Sequence, residues 1–181
     1  LLGNAWQAGL RLRHPIMRTP ERSLWLEASG ELQDLRQDRA NVLARRDRIA
    51  LARLGFFGFK PLAGGRLQGR ATVSQGIDAL GATDAGDRLA SRRDAQPDFT
   101  TLAWFLNWRR GIAPRVSVAL AATGQLSTAP LLIGESFALG GNAFLRGYDF
   151  GQVVGDEGAA GSAEVRYDWP RALGLGRRMQ L

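Results

Sequence analysis

The stretch Thr101-Leu102-Ala103-Trp104-Phe105-Leu106-Asn107-Trp108-Arg109 places Leu102, Trp104, Leu106 and Trp108 at every second position, with Thr101, Ala103, Phe105, Asn107 and Arg109 between them. Successive side chains of an extended chain point to opposite faces, so this spacing predicts a strand with one apolar and one polar face. The same period recurs on either side. Upstream, Leu67, Gly69, Ala71 and Val73 alternate with Arg66, Gln68, Arg70, Thr72 and Ser74. Farther upstream, Leu24, Leu26, Ala28, Gly30 and Leu32 alternate with Trp25, Glu27, Ser29, Glu31 and Gln33, and Trp6, Ala8, Leu10 and Leu12 alternate with Gln7, Gly9, Arg11 and Arg13. Downstream, Val116, Val118, Leu120 and Ala122 alternate with Ser117, Ala119, Ala121 and Thr123, and Ala163, Val165, Tyr167 and Trp169 alternate with Ser162, Glu164, Arg166 and Asp168. Residues 49–59 read as a further strand with less clean faces.

The connections between these strands alternate in length. A modest turn holds Pro15 and Pro20, and a long charged loop covers residues 34–48. A short turn (60–65) precedes a long loop (78–97), a very short turn (110–114) precedes the longest connection (127–158), and a last turn begins at Pro170. Residues 33–54, free of Gly and Pro, also admit a charged amphipathic helix, but a loop followed by a strand matches the spacing of the neighbours. The rhythm predicts an all-β fold: an antiparallel up-and-down transmembrane β-barrel of the outer membrane, with tight turns at one rim and long loops at the other. A soluble up-and-down barrel would turn its apolar face inward, and a sandwich would turn every ~8–12 residues without this rhythm. Arg11, Arg13, Arg66, Arg70, Arg109, Glu164, Arg166 and Asp168 share a face with Gln, Ser and Thr, as a wet lumen requires. On the other face Trp6, Trp108, Tyr167 and Trp169 fall near strand ends, where aromatic girdles sit.

Composition sets further bounds. The 181 residues suffice for one ordinary domain and contain 23 glycines and no cysteine, which removes disulfide frameworks and thiol chemistry together. No run approaches the ~18 apolar residues of a membrane helix. The net charge is +7, but its arginines alternate with apolar residues and form no aromatic-interleaved patch, against nucleic-acid binding. His14 is the only histidine, which leaves no histidine-based metal site or triad. Gly140-Gly141 is followed by no Gly-Lys-Ser/Thr, so a phosphate loop is not indicated. Asp156 and Glu157 lie in a glycine-rich turn, where solvation is expected. No enzyme and no cofactor are expected. The opening Leu1-Leu2-Gly3, without Met, and the closing Met179-Gln180-Leu181 suggest a piece of a longer protein.

The longest connection carries an ordered set of residues. Phe137, Leu139, Gly140 and Gly141 are followed by Leu145, Arg146, Gly147 and Tyr148, then by Gly155, Asp156 and Gly158, and the next strand holds Glu164 and Tyr167. This order resembles the two-partner secretion transporters of the outer membrane, the hemolysin secretion/activation or TpsB family, whose superfamily also includes the barrel-assembly insertase. The resemblance covers essentially the whole chain, with its specific motifs in the last third. It implies that residues 127–158 form the sixth extracellular loop, folded into the lumen, and that the seven strands are about the sixth to the twelfth of roughly sixteen. Residues 1–181 would then be a partial barrel, with periplasmic POTRA domains, plug helix and closing strands elsewhere.

The resemblance further implies that Arg146, at the loop tip, meets an acidic residue of the inner wall. The family's usual partner lies on the strand after that of Tyr167, and Glu164 is a second wall carboxylate. A planar guanidinium suits such a contact because it binds a carboxylate through two parallel hydrogen bonds. Taken alone, Arg146 is an ordinary solvated arginine and Gly140-Gly141 an ordinary turn; the surrounding set favours the functional reading. The expected function is a monomeric translocation pore, in contact with outer-membrane lipids, that exports a large unfolded exoprotein. The alternatives are an assembly factor of the same superfamily, a plain porin and a soluble β binding module. Arg166, Arg66, Arg70 and Arg109 are expected on the lumen wall with Glu164, and a lumen so lined favours anion conductance.

Overall fold

The computed structural model describes residues 2–40, 42–140, 144, 149, 151–169 and 179–180. Its strands are β1 (Leu2–Arg18), β2 (Ser23–Arg39), β3 (Val42–Leu62), β4 (Gly65–Gly76), β5 (Thr100–Ala113), β6 (Val116–Ser127), β7 (Phe137–Leu139), β8 (Val153–Gly155), β9 (Gly158–Trp169) and β10 (Met179–Gln180). The main sheet runs β1-β2-β3-β4-β5-β6-β9-β10, antiparallel throughout, and β7 and β8 form a small separate hairpin inside the longest connection. All seven expected strands are present and each pairs with its neighbour in sequence. The architecture is the expected all-β, up-and-down antiparallel one, as an open part of a barrel that does not close on itself.

Three connections differ from the sequence expectation. Residues 34–39 and 42–48 are strand, not loop or helix. β2 and β3 pair from Ser23↔Phe59 to Arg39↔Val42, with one register shift at Gln37/Asp38. They make a hairpin that runs about eight residues past the paired end of β4, where Leu51 meets Gly76. Charge holds this extension together: Asp34 accepts hydrogen bonds from Arg36, Arg46 and Arg48. Both faces carry charged residues there, which hides the two-residue period that marks a strand. Pro15, expected in a turn, lies within β1 opposite Trp25, at a register shift between Pro15 and Met17. The proline sits where that shift already interrupts the ladder, a position that tolerates a missing N–H. The turn is at residues 19–22, closed by Thr19 N–H donating to the Arg22 carbonyl at 2.9 Å. The very short turn is shorter still, since β5 continues to Ala113. The β3–β4 turn is Ala63-Gly64, with φ of 49° and 70°, the mirror-image two-residue hairpin whose twist matches its strands.

The register lines up the alternating faces of all seven long strands. One face presents Trp6, Leu10, Leu12, Leu24, Leu54, Phe56, Val73, Leu102, Leu106, Leu120, Val165 and Tyr167, all exposed. A continuous apolar surface of this extent is unsuited to water. Trp6, opposite Asp34, lies toward the long-loop end, while Trp108, opposite Leu67, lies toward the tight turns; the side chain of Trp169 lies outside the described residues. The other face carries the charged and small polar side chains. The buried core is on that charged side, at the long-loop end: Ile49 and Leu51 of β3 are covered by Ala95, Phe99, Leu131 and Leu132, with Leu35 packed against them. Full burial of such side chains contributes about 1.5–3 kcal/mol each. Residues 90–99 and the described part of residues 128–157 therefore fold back across the charged face, while residues 77–89 follow the edge of β3 beyond β4, hydrogen-bonded to Ala50, Arg48 and Arg46. Ile49 and Leu51, which blurred the faces of residues 49–59, are the apolar floor on which they rest.

Candidate functional site

The charged face is an ordered ladder of ion pairs. Neighbouring strands set arginine against glutamate: Arg13 pairs in register with Glu27, and the Glu27 carboxylate also accepts from Arg70 at 3.1 Å. One level toward the loops, Glu31 accepts from Gln7 at 2.9 Å, Ser29 at 3.1 Å and Arg53, with Arg11 3.6 Å away. Aromatic rings fill the space beneath the guanidinium groups. Arg66 lies 3.9 Å from the centre of the Phe59 ring, and Arg70 and Arg13 lie 4.9 and 5.6 Å from that of Phe57. Phe57 stacks on Trp25 at 6.1 Å. These rings on a polar face provide cation–π contacts, the second reason that β3 alternates poorly.

Arg53 links this ladder to the long connection. Its guanidinium spans Glu31 on β2 and Glu135, which lies in a short 3-10 turn (Ile133–Glu135); both Glu135 oxygens accept from Arg53 Nη2 at 2.7 Å. The Glu31 and Glu135 side chains are 6% and 9% exposed, so each carboxylate depends on its partner for solvation. Gln125 of β6 donates to the Glu135 and Asp156 carbonyls at 3.0 and 3.1 Å, holding both ends of the connection. Asp156 is not simply solvated. It accepts from Arg92 at 2.6 Å and from the Leu131 N–H at 3.1 Å, and Glu157 accepts from the Ser127 N–H at 3.1 Å. Arg92, held by Asp94 and Asp156, has its pKa raised still further, chiefly by the Asp94 hydrogen bond. Asp94 is lowered in turn, chiefly by the same bond.

The motif residues within the described structure form the stem of this loop. Phe137, Ala138 and Leu139 pair with Gly155, Val154 and Val153. A side chain at Gly158 would meet the Phe137 ring at 2.6 Å, so glycine there lets the ring lie on the backbone where β9 begins. Gly140 has φ of 136°, a conformation that favours glycine. Gly141, Leu145, Arg146, Gly147 and Tyr148 lie outside the described residues, and the expected Arg146 contact with them. Within that stretch Phe144 is described, and it is buried.

Of the wall residues, Glu164 accepts two hydrogen bonds from Arg166 at 2.9 and 2.7 Å. Arg70 joins Glu27, and Arg66 and Arg109 face each other across β4 and β5. The sequence reading missed Arg53, Glu135 and Arg92 as loop contacts, and Glu27 and Glu31 as their ladder. Glu27 and Glu31 were legible, since they fall on the polar positions of a clean alternation. Glu135 had no signal of its own, because loop residues follow no period.

The sequence profile of the family described as "Haemolysin secretion/activation protein ShlB/FhaC/HecB" matches residues 1–179. No curated protein sequence matches the chain. Among solved structures, CdiB from Escherichia coli superposes with a TM-score of 0.77 at 19% identity, covering 92% of this chain and 31% of that one. CdiB from Acinetobacter baumannii superposes with a TM-score of 0.72 at 18% identity, covering 93% and 30%. The chain thus spans about a third of the length of the structures it resembles, and at these identities the likeness shows the fold.

Proposed function

Because the chain belongs to the ShlB/FhaC/HecB family of haemolysin secretion/activation proteins, we propose that it is part of an outer-membrane pore that exports a large, unfolded exoprotein by two-partner secretion. The apolar face meets lipid, the charged face lines the lumen, the tight turns are periplasmic and the long loops extracellular. The observation that carries this reading is the fastening of the 3-10 turn of the longest connection, Ile133–Glu135, onto the charged face by the Glu135–Arg53 contact. A loop held there narrows the passage, and a cargo must displace or skirt it. A wall of alternating arginine and glutamate suits an extended chain in transit, because it offers many weak polar contacts and no deep apolar pocket. No bond is made or broken in the cargo.

The test is export by the full-length protein with Arg146→Ala, the loop-tip arginine of the family motif. Secretion of the partner is expected to fall while the barrel still inserts, seen as heat-modifiable migration of the outer-membrane fraction. Undiminished export would overturn this assignment.

A further inference from the structure

We infer that the outward face of the tall β2–β3 hairpin is a binding site for a phosphate of the glycolipid in the outer leaflet, the lipid A head of lipopolysaccharide. This rests on the proposed membrane orientation. The register places Trp6, Asp34 and Arg48 side by side, and Asn4, Arg36 and Arg46 two residues farther along. The alternation puts Asp34, Arg36, Arg46 and Arg48 on the apolar, lipid-facing side, continuous with Trp6, Leu10 and Leu12. Two residues of strand correspond to about 7 Å, so Arg48 stands level with the aromatic at the end of the apolar belt, and Arg36 and Arg46 stand just beyond it. Phosphorylated headgroups lie at that depth.

Three arginines converge on a single carboxylate. Asp34 is 2% exposed and fully used: Oδ1 accepts from Arg36 and Arg46 Nε, and Oδ2 from Arg36 Nη2, Arg46 Nη2 and Arg48 Nε. The cluster keeps a surplus of positive charge. The Arg36 and Arg48 side chains remain 44% and 43% exposed, with guanidinium N–H groups that have no protein acceptor among the described residues. Asp34 fixes their direction in advance, as a phosphate site requires. Beneath Arg48 is a notch of about 210 Å³ lined by Trp6, Leu32, Asp34, Ala50 and Leu80, and Leu80 and Trp6 are 78% and 51% exposed. Apolar walls under a cationic rim suit an amphiphile better than a free anion. Asp38, the next acidic residue on the same face of β2, attracts Arg36 as well, and three arginines against these two carboxylates still leave net positive charge.

The test uses the full-length transporter in nanodiscs of zwitterionic phospholipid titrated with bisphosphorylated lipid A, with bound lipid counted by native mass spectrometry. Arg36→Ala/Arg48→Ala is expected to weaken lipid A binding roughly tenfold, the scale of losing charge-assisted hydrogen bonds. Arg46 still holds Asp34 through two bonds in that variant, and Arg48→Ala alone should give a smaller loss in the same direction. Arg22→Ala/Lys60→Ala, at the tight-turn end, should leave binding unchanged, and dephosphorylated lipid A should bind all forms weakly. Equal binding by wild type and Arg36→Ala/Arg48→Ala overturns the inference, as does displacement of lipid A by millimolar inorganic phosphate, which would assign the site to a free anion. Wild-type protein that fails to fractionate with outer membranes would instead overturn the parent orientation.

Discussion

Arg53 serves two carboxylates that behave differently when it is removed. Glu31 keeps Gln7, Ser29 and the nearby Arg11, whereas the Glu135 carboxylate has no other donor among the described residues and is 9% exposed. Arg53→Ala should therefore disturb the loop more than the wall. Leaving a nearly buried carboxylate without its donor costs about 1–3 kcal/mol, so Glu135 is expected to swing to water and take the 3-10 turn with it. In the full-length protein, proteolysis within residues 128–157 should quicken roughly tenfold, while heat-modifiable migration stays normal. Reversing the pair, with Arg53→Glu and Glu135→Arg together, should restore part of the protection; no recovery would mean the loop is held elsewhere. Leu131, fully buried on Ile49 and Leu51, supplies the apolar half of the anchorage. Leu131→Ala should cost about 2–5 kcal/mol of local stability and appear as the same proteolytic opening.

The two long connections act as one element, because Arg92 of residues 77–99 grips Asp156 at the base of the other. Its second partner, Asp94, has a pKa lowered below the ordinary 3.8. A depressed carboxylate gives stability that is present above its unfolded value and lost as the pH falls through its folded one. The Arg92–Asp94 contact should thus be insensitive to pH through neutrality and weaken only below about pH 4, measured as amide exchange in residues 77–99. Loosening already near pH 6 would mean that another group controls it. At this scale the sequence was most and least informative. Strands with one apolar and one polar face, such as residues 101–109, were legible because burial on one side imposes the period. The β2–β3 extension was not, because Asp34, Arg36, Arg46 and Arg48 replace apolar residues on the outward face, and pairing across strands leaves no mark in either strand alone. The β7–β8 stem came within reach only through the ordered motif, since three-residue strands are too short to show a period.

For the whole molecule, the sorting of residues between faces sets the field inside the proposed lumen. Arg11, Arg13, Arg53, Arg66, Arg70, Arg109 and Arg166 share the charged face with the smaller set Glu27, Glu31, Glu135, Glu164 and Asp168. Most arginines that face carboxylates are neutralised locally, as Arg13 and Arg70 are by Glu27. Arg66 and Arg109 are different: they are paired with each other in register, toward the tight turns, and neither has an ion-pair partner among the described residues. Like charges placed side by side in a water-filled passage raise the local anion concentration. The pore of the full-length protein should therefore prefer anions in planar-bilayer recordings at low salt. That preference should shrink as the ionic strength approaches 1 M, where the screening length falls to about 3 Å. Arg66→Glu/Arg109→Glu exchanges these two positive charges for negative ones without touching the Glu27 or Glu31 ladders. It should shift the reversal potential toward cation selectivity while leaving the loop contacts at Arg53 intact. A wild-type pore that already favours cations, or a double variant with an unaltered reversal potential, would mean that the current does not pass along this face.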